Sequence, residues 1–372
     1  MISPLDLSTL SPQAQRIVLP TAPEKAQEVA ARGVLPGLRP AEILAVLLLL
    51  GKSERLAVRE TATRTLGELP EPILNGALGA ELHPEVIDLL ARNYGRRLDV
   101  VEALLRMPTI ASDTLEDFAR SGSEMVTELI ATNEERLVAN PRLIELLYMN
   151  QRTRMSTADR VIELAVRHRL DVVGIPAWRE VSSAIQNELI VESSEELTPD
   201  DLLFLETQQL SDRLRGEADE DTHTETDEGK EIVKEKFKPL YQRIAEMSVT
   251  QKIRRAMLGS KEERMMLIRD NNKLVSSAAV RSPLMDESEA ALVSRNRNVS
   301  DEVLRIIGTT PEFMRSYVVK RNLVENPKTP VVLSTRLVVH LREADLRQIS
   351  KSRNISTPVK EAARRQLERR NT

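Results

Sequence analysis

Apolar residues recur along this chain in short runs whose spacing and punctuation fit α-helices. Most runs begin at Pro, or after Ser, Thr or Asn followed by Pro or an acidic residue, which is a helix-start signal. Clear examples begin at Pro84, at Asn140-Pro141, at Ser300 and at Thr357-Pro358. No period-two alternation bounded by turn residues competes with these segments. The pattern therefore predicts an all-α chain built from many short helices.

Two segments give definite local predictions. The longest apolar run, Ile43 to Leu50, has eight residues, whereas a membrane-spanning helix needs roughly 20. We therefore expect a buried helix there and no insertion into a membrane. Thr198 suits an N-cap and Pro199 suits the first helical position, and two acidic residues follow them. This second segment predicts a helix that ends near Leu214.

Short phrases recur along the chain at a similar distance. Leu89-Leu90-Ala91-Arg92-Asn93 is echoed by Leu129-Ile130-Ala131-Thr132-Asn133, 40 residues later. Leu104-Leu105-Arg106-Met107 is echoed by Leu146-Leu147-Tyr148-Met149, 42 residues later. Leu267-Ile268-Arg269-Asp270-Asn271 carries a related phrase in the second half. Self-similarity near 40 residues predicts a helical solenoid.

A motif in the last quarter of the chain resembles a known repeat. Asn326-Pro327-Lys328-Thr329-Pro330 is followed by Leu333, by Leu346-Arg347 and by a second N-x-x-T-P phrase, Asn354-Ile355-Ser356-Thr357-Pro358. This order resembles the leucine-rich repeat variant, a HEAT-like helical solenoid. Residues 250–370 are also similar to a helical-repeat domain of uncharacterised deltaproteobacterial proteins. The resemblance implies a solenoid whose relatives mostly bind proteins, while some bind DNA and a few are enzymes.

The amino-acid composition of the chain excludes several classes of functional site. The chain has no Cys, so the iron–sulfur segment of the founding leucine-rich repeat variant protein has no counterpart here. It has four His, no two of which are close in sequence, so no helical His-x-x-x-His metal pair can form. No G-x-G-x-x-G motif and no Ser/His/Asp set can be nominated. We therefore predict a non-enzymatic protein with no cofactor, no metal and no catalytic residues.

Charge is divided unevenly along the chain, although the net formal charge is only −4. Residues 230–372 hold 30 Lys and Arg against 17 Asp and Glu, a net charge of +13, and residues 1–229 carry a net charge of −17. The boundary is the segment 216–231, in which eight residues are acidic and none is a large apolar residue. Such a segment cannot bury enough surface to offset its ordering entropy, so it predicts a flexible acidic linker.

These observations divide the chain into four predicted segments. Residues 1–80 form an N-terminal helical cap, and residues 81–195 form an acidic helical-repeat block. Residues 196–232 hold a short helix and the acidic disordered linker, and residues 233–372 form a basic helical-repeat block. The predicted fold is thus all-α, a HEAT-like or leucine-rich-repeat-variant helical solenoid in two blocks joined by an acidic flexible linker.

A basic, Asn-containing loop recurs in the second block and is the candidate binding surface. If each copy occupies the same corner of its repeat, the arginines line up as a stripe on one face of the solenoid. Arg suits such a stripe because its planar guanidinium binds two oxygens of a phosphate or carboxylate at once. The predicted partner-binding residues are Arg269, Asn271, Arg295, Arg297, Arg321, Asn322, Arg353 and Asn354.

Two alternatives stay open at the level of sequence. The same Asn and Arg side chains suit purely structural roles, because Asn caps helices and Arg pairs with helix carbonyls or with acids. The acidic linker is either a plain spacer or a segment that folds back onto the basic stripe. A flexible chain of its length spans roughly 20–24 Å on average, which is ample reach for that contact.

The sequence favours a cytoplasmic scaffold or adaptor that binds other proteins through its solenoid faces. No signal peptide is evident at the N-terminus. A protein partner, acidic where it meets the basic block, is the first hypothesis. The alternative is binding of duplex DNA by residues 233–372, since a strongly basic block can neutralise several phosphates. Against this alternative, acidic residues are interspersed among the basic ones, as on an ordinary solvated surface.

Overall fold

The computed structural model describes residues 4–186, 188, 196–215, 222–225 and 231–371, and these ranges contain 24 α-helices and two short strands. Contacts between residues divide the chain into two compact units, Met1–Thr153 and Arg154–Thr372. The boundary between these units falls inside the predicted acidic block, and the division into four segments stays a prediction.

The described part of the first unit holds eleven helices. They are α1 (Pro12–Val18), α2 (Glu24–Ala31), α3 (Pro40–Leu50), α4 (Leu56–Gly67), α5 (Glu71–Leu78), α6 (Pro84–Tyr94), α7 (Leu98–Arg106), α8 (Ser112–Ser121), α9 (Glu124–Ala131), α10 (Glu134–Ala139) and α11 (Pro141–Met149).

The described part of the second unit holds thirteen helices and a two-stranded antiparallel ribbon. They are α12 (Met155–Arg167), α13 (Trp178–Ile185), α14 (Pro199–Leu214), β1 (His223–Glu225), β2 (Glu231–Val233), α15 (Lys238–Glu246), α16 (Val249–Leu258), α17 (Lys261–Leu267), α18 (Lys273–Val280), α19 (Glu287–Arg295), α20 (Asp301–Thr309), α21 (Tyr317–Glu325), α22 (Val331–Leu337), α23 (Glu343–Lys351) and α24 (Thr357–Asn371).

Helices within each unit pack mainly against near neighbours in sequence. In the first unit, α6 packs on α8 and α8 on α11, while α5 packs on α7 and α7 on α9. In the second unit, α16 packs on α18 and α18 on α20, while α17 packs on α19 and α19 on α21. This sequential packing is what a helical repeat requires, and it confirms the predicted all-α, repeat-like architecture.

Helix starts that the sequence predicts are confirmed by their caps. Ser300 accepts a hydrogen bond from the backbone N–H of Val303 at the start of α20. Thr198 forms a capping box with Asp201 at the start of α14, which ends at Leu214 as predicted. The apolar run in α3 is almost wholly buried. None of the helices formed by the described residues has the length and apolar character needed to cross a membrane.

Equivalent helices recur at intervals shorter than the 40 residues that the sequence phrases suggest. The first helices of successive pairs in the second unit, α17, α19, α21 and α23, begin 26, 30 and 26 residues apart. The longer interval joins positions that are not equivalent in the fold, because Asn93 lies inside α6 whereas Asn133 caps the start of α10. Similar local phrases therefore serve two different points of the repeat.

A buried amide closes the corner between successive repeats of the second unit. Asn326, which is 4% exposed, donates from Nδ2 to the backbone carbonyls of Ser294 at 2.9 Å and Asn296 at 2.8 Å. These carbonyls lie at the end of α19, where an α-helix offers no N–H to its last carbonyls. The Asn326 Oδ1 accepts from the backbone N–H of Lys328 at 3.0 Å. One side chain thus holds the turn after α21 against the preceding repeat.

The first unit contains the same corner. Asn150, which is also buried, donates from Nδ2 to the carbonyls of Ala119 at 3.0 Å and Gly122 at 3.1 Å. Its Oδ1 accepts from the backbone N–H of Arg152 at 2.9 Å. Because two separate units use the same contact, the corner is a property of the repeat. It also gives a structural role to the Asn of the N-x-x-T-P phrase that begins at Asn326.

The ribbon of β1 and β2 lies partly within the segment that the sequence predicts to be a flexible linker. Thr222 lies just before β1 and is buried. Its backbone carbonyl accepts a hydrogen bond from the backbone N–H of Lys234 at 3.0 Å. The predicted flexible linker 216–231 therefore contains β1 and, at its last residue, the start of β2. Its positions 216–221 and 226–230 lie outside the described residues, so flexibility there stays a prediction.

A buried ion pair joins α14, α16 and α17. The Glu263 carboxylate accepts from the Arg255 guanidinium at 2.6 and 2.7 Å, from the backbone N–H of Ser260 at 2.7 Å and from the Ser211 hydroxyl at 2.8 Å. Burying two charges is favourable only when such additional hydrogen bonds satisfy the remaining lone pairs. Because Ser211 belongs to α14, this cluster fixes the helix that precedes the acidic segment.

Arg254 is the largest side chain that is fully buried in the described structure. Its guanidinium donates to the Arg154 carbonyl at 3.1 Å and lies 5.0 Å from the centre of the Phe204 ring. The Arg255 guanidinium lies 5.0 Å from the same ring. Two cation–π contacts with one ring partly replace the water that these cations lose on burial.

Asp159, on α12, lies in the electrostatic field of Arg254 and of three acids, Glu188, Asp200 and Asp201. Desolvation raises the pKa of Asp159 to about 8, although Arg254 opposes this rise. The Asp159 carboxyl group is therefore largely protonated in the folded protein at neutral pH.

The Asn326→Ala variant is expected to lower the free energy of unfolding by about 2 kcal/mol, since it leaves buried helix carbonyls without a donor. Asn298→Ala is the matched control, because Asn298 is exposed and its side chain makes no hydrogen bond within the described residues. Urea denaturation of the full chain, followed by circular dichroism, compares the two. Equal stability of the variants would contradict the structural role of the corner.

The Asp159→Asn variant should change how stability depends on pH. In the wild-type protein the folded pKa, about 8, exceeds the unfolded value of about 4, so stability falls as the pH rises through this window. The advantage of the variant should therefore grow from pH 5 to pH 7, by at most about 1.4 kcal/mol per pH unit, because the two states differ by no more than one proton at this group. Urea denaturation at each pH measures it. A constant difference would refute the assignment.

Candidate functional site

Two adjoining depressions between α19 and α21 form one groove on the second unit, called here the α19–α21 groove. Their volumes are about 710 and about 630 Å³, and Leu292, Arg295, Asn322 and Glu325 line both. The first depression extends to residues 296–298 and to the ribbon, and the second extends towards the start of α17. The groove therefore contains part of the predicted basic stripe.

The loops that follow α17, α19, α21 and α23 share one local geometry. In each, a side-chain oxygen accepts from the backbone N–H two residues further on, at distances of 2.7 to 3.3 Å. This turn is typical of Asn, Asp and Ser side chains that follow a helix. The four corner residues are Asp270, Asn296, Asn326 and Ser352.

The predicted arginines do not all occupy this corner. Arg269 and Arg295 directly precede a corner residue, and Arg297 and Arg353 directly follow one. Arg321 lies instead within α21, five residues before the corner residue Asn326. The expected stripe of equivalent arginines is therefore interrupted, because Arg321 lies in a helix and not in the loop that follows it.

Arg269 is held by an acid of the same chain. Its side chain is 9% exposed, and its Nε lies 3.1 Å from Oε2 of Glu231. The other Glu231 oxygen accepts from Nδ2 of Asn296 at 2.8 Å. Glu231 is the last residue of the predicted linker and the first of β2. The acidic segment thus contacts the basic corner at this residue.

Arg321 and Asn322 also have internal partners. The Arg321 Nε lies 2.9 Å from Glu325 and 3.3 Å from Asp345, and the hydrogen bond with Glu325 raises the pKa of Arg321. The Asn322 Nδ2 donates to the Ala291 carbonyl at 2.8 Å. Both side chains line the second depression, but their first role is to join α21 to its neighbours.

Three arginines keep their guanidinium groups exposed. Within the described residues, no hydrogen bond or ion pair holds Arg295, Arg297 or Arg353. Arg295 lines both depressions and Arg297 lines the first, whereas Arg353 lines neither. Asn271 and Asn354 are exposed and line neither depression. Of the predicted arginines without a partner in the described part of the chain, the structure places Arg295 and Arg297 in the groove, and Lys261 also lines its second depression.

Apolar side chains that the sequence does not single out lie beside these arginines. Leu292 is 38% exposed and Val318 is 54% exposed, and both line the second depression. In the sequence they resemble any core position of an amphipathic helix, so the local pattern contains no signal for their exposure. Their place in the groove follows only from the packing of α19 against α21.

The first unit also carries an arginine-rich groove, of about 770 Å³, although residues 1–229 have a net charge of −17. Two of its arginines pair with acids of their own helix, Arg92 with Asp88 at 2.9 Å and Arg120 with Asp117 at 3.0 Å. These pairs reduce the positive charge that the groove can offer. The four arginines that line it are Arg92, Arg96, Arg120 and Arg152.

In the α19–α21 groove, arginines without a partner among the described residues and exposed apolar side chains thus line the same depression. In the described ranges, no three His, Asp or Glu side chains are close enough to hold a metal ion. Compared with known proteins, the chain matches no protein-family model and no curated protein.

Proposed function

We propose that this protein is a non-enzymatic scaffold or adaptor that binds another protein through the α19–α21 groove. The observation that carries this proposal is the meeting of unpaired arginines with exposed apolar side chains in one open groove. Leu292 and Val318 supply the apolar surface, and Arg295 and Arg297 supply the polar rim. Protein interfaces combine these two features, and Arg is enriched in them.

The proposed architecture is a HEAT-like or leucine-rich-repeat-variant solenoid, and a cytoplasmic location belongs to the same proposal. Sequential packing of helix pairs and the recurring Asn corner support the solenoid. In such folds each repeat contacts its neighbours and leaves a row of helix surfaces for partners. Helices α19 and α21 occupy equivalent positions in successive repeats, so the groove between them is part of this row of helix surfaces. We expect a partner to bind there.

Binding of duplex DNA by residues 233–372 is the second candidate, and the unpaired arginines support it. The groove favours a protein because Glu231 and Glu325 place carboxylates beside those arginines. Carboxylates repel the closely spaced phosphates of a duplex, whereas a polypeptide can avoid them. The apolar side chains of the groove also have no role in contacts with a phosphate backbone.

The double variant Arg295→Glu with Leu292→Asp inverts one charge and removes apolar contact. We therefore expect the amount of partner protein captured by the full chain to fall about tenfold or more. Affinity capture followed by quantitative mass spectrometry measures the loss. The matched control is Arg336→Glu with Val332→Asp, because both residues are exposed on α22 and line neither depression. Circular dichroism confirms that both variants fold. Equal capture by the groove variant and the wild type would contradict the proposal.

A salt series with a duplex DNA oligonucleotide separates the two candidate functions. For a protein-binding groove we expect weak binding of DNA that does not depend on Arg295 and Arg297. An affinity that falls steeply with salt, and that is lost when both arginines become Ala, would instead establish DNA as the ligand.

A further inference from the structure

We infer that the α19–α21 groove recognises an extended acidic segment of a partner protein, and that Glu231 of this chain occupies one of its carboxylate positions. This inference rests on the proposed function and adds the chemistry of the partner. Glu231 is then an internal competitor, which limits the affinity of the groove for an acidic partner.

Asn296 departs from the behaviour of the other corner asparagines. Asn326 and Asn150 both donate from Nδ2 to backbone carbonyls of a preceding helix. The Nδ2 of Asn296 donates to the Glu231 carboxylate instead, at 2.8 Å. A donor that stabilises the fold at the other corners therefore binds a carboxylate at this one.

The carboxylate belongs to a segment of extended backbone. Glu231 is the first residue of β2, and its side chain is 18% exposed. Its two oxygens are shared between Arg269, at 3.1 Å, and Asn296. One cation and one amide around a single carboxylate form a charge-assisted site of the kind that acidic peptides require. The chain thus provides an example of the ligand chemistry that we assign to the groove.

Further cations lie next to this position and have no internal partner. Arg295 and Arg297 flank Asn296 in sequence, are exposed, and make no hydrogen bond or ion pair within the described part of the chain. Leu292 lies one helical turn before Arg295 and is 38% exposed. A segment with several acids and an apolar side chain would match this series, since the acids can pair with the arginines and the apolar group can cover Leu292.

The competing role of Glu231 follows from its contact with Asn296 and from its charge. While its carboxylate is bound, the Nδ2 of Asn296 is not available to a partner. The same negative charge also repels acids that approach Arg295 and Arg297. Removal of this carboxylate should therefore strengthen binding of an acidic segment, whereas removal of Arg295 should weaken it.

Fluorescence anisotropy with the full chain tests this inference. The probe is a labelled peptide of about ten residues in which pairs of Glu alternate with pairs of Leu, so that each face of the extended backbone carries both side chains. Arg295→Ala is expected to weaken binding about fivefold and Glu231→Ala to strengthen it about threefold. Arg336→Ala, an exposed arginine of α22 that lines neither depression, should leave it unchanged.

Changes of opposite sign separate recognition from damage to the fold, because loss of folding weakens binding in every variant. Unchanged or weaker binding by Glu231→Ala would overturn the inference. Equal binding of a peptide with Lys in place of Glu, or displacement of the acidic peptide by duplex DNA at physiological salt, would overturn it as well. A matching peptide with Ser in place of Leu should bind more weakly. Equal binding would contradict the inference that an apolar side chain of the partner covers Leu292.

The two proposals fail in distinguishable ways. If protein capture depends on the groove but the acidic peptide does not bind, the assignment of an acidic segment is wrong and the scaffold proposal stands. The opposite outcome is that the peptide binds with the expected variant pattern while protein capture is unaffected by the groove variant. In that case the groove binds acidic segments, but the proposal that it recruits the binding partners of the full chain is wrong.

Discussion

The buried amide of Asn326 is the contact on which both the repeat and the groove depend. It caps the carbonyls of Ser294 and Asn296 and so fixes the end of α19 against the turn that follows α21. These two helices are the walls of the α19–α21 groove. Because Arg295 lies between the two capped residues in sequence, its backbone position is set by the same amide. Asn150 makes the same contact in the first unit, so this corner occurs in both units. The charged residues beside the corner differ between the two units.

Helix starts could be predicted because their determinants are local. The caps at Ser300 and Thr198 involve residues within three positions of each cap. The N-x-x-T-P phrase at Asn326 was visible for the same reason, although its hydrogen bonds reach back 30 and 32 residues. The interval between repeats was not predictable in this way, since Asn93 and Asn133 lie in similar phrases but at different points of the fold. Two residues are equivalent when the helices that contain them pack in the same way in successive repeats. A short sequence phrase contains no information about that packing.

The candidate site could be predicted only in part, for a related physical reason. The sequence gives Arg269 and Arg295 equal weight, because both precede a corner residue. Arg269 is held by Glu231, an acid 38 residues earlier in the chain, while Arg295 is exposed. Ion pairs between residues so far apart depend on tertiary packing. The exposure of Leu292 is equally invisible, since an apolar residue on an amphipathic helix is normally assigned to the core.

Three arginines of the segment 230–372, which carries a net charge of +13, lie in the interior and not on the surface. Arg254 is fully buried, and Arg255 and Arg264 are buried in ion pairs with Glu263 and Glu289. These cations join helices and cannot attract a ligand. Recognition in the α19–α21 groove depends instead on the individual positions of the cations that line it, such as Arg295 and Arg297. The proposed acidic segment fits this arrangement, because its separate carboxylates can pair with cations at individual positions.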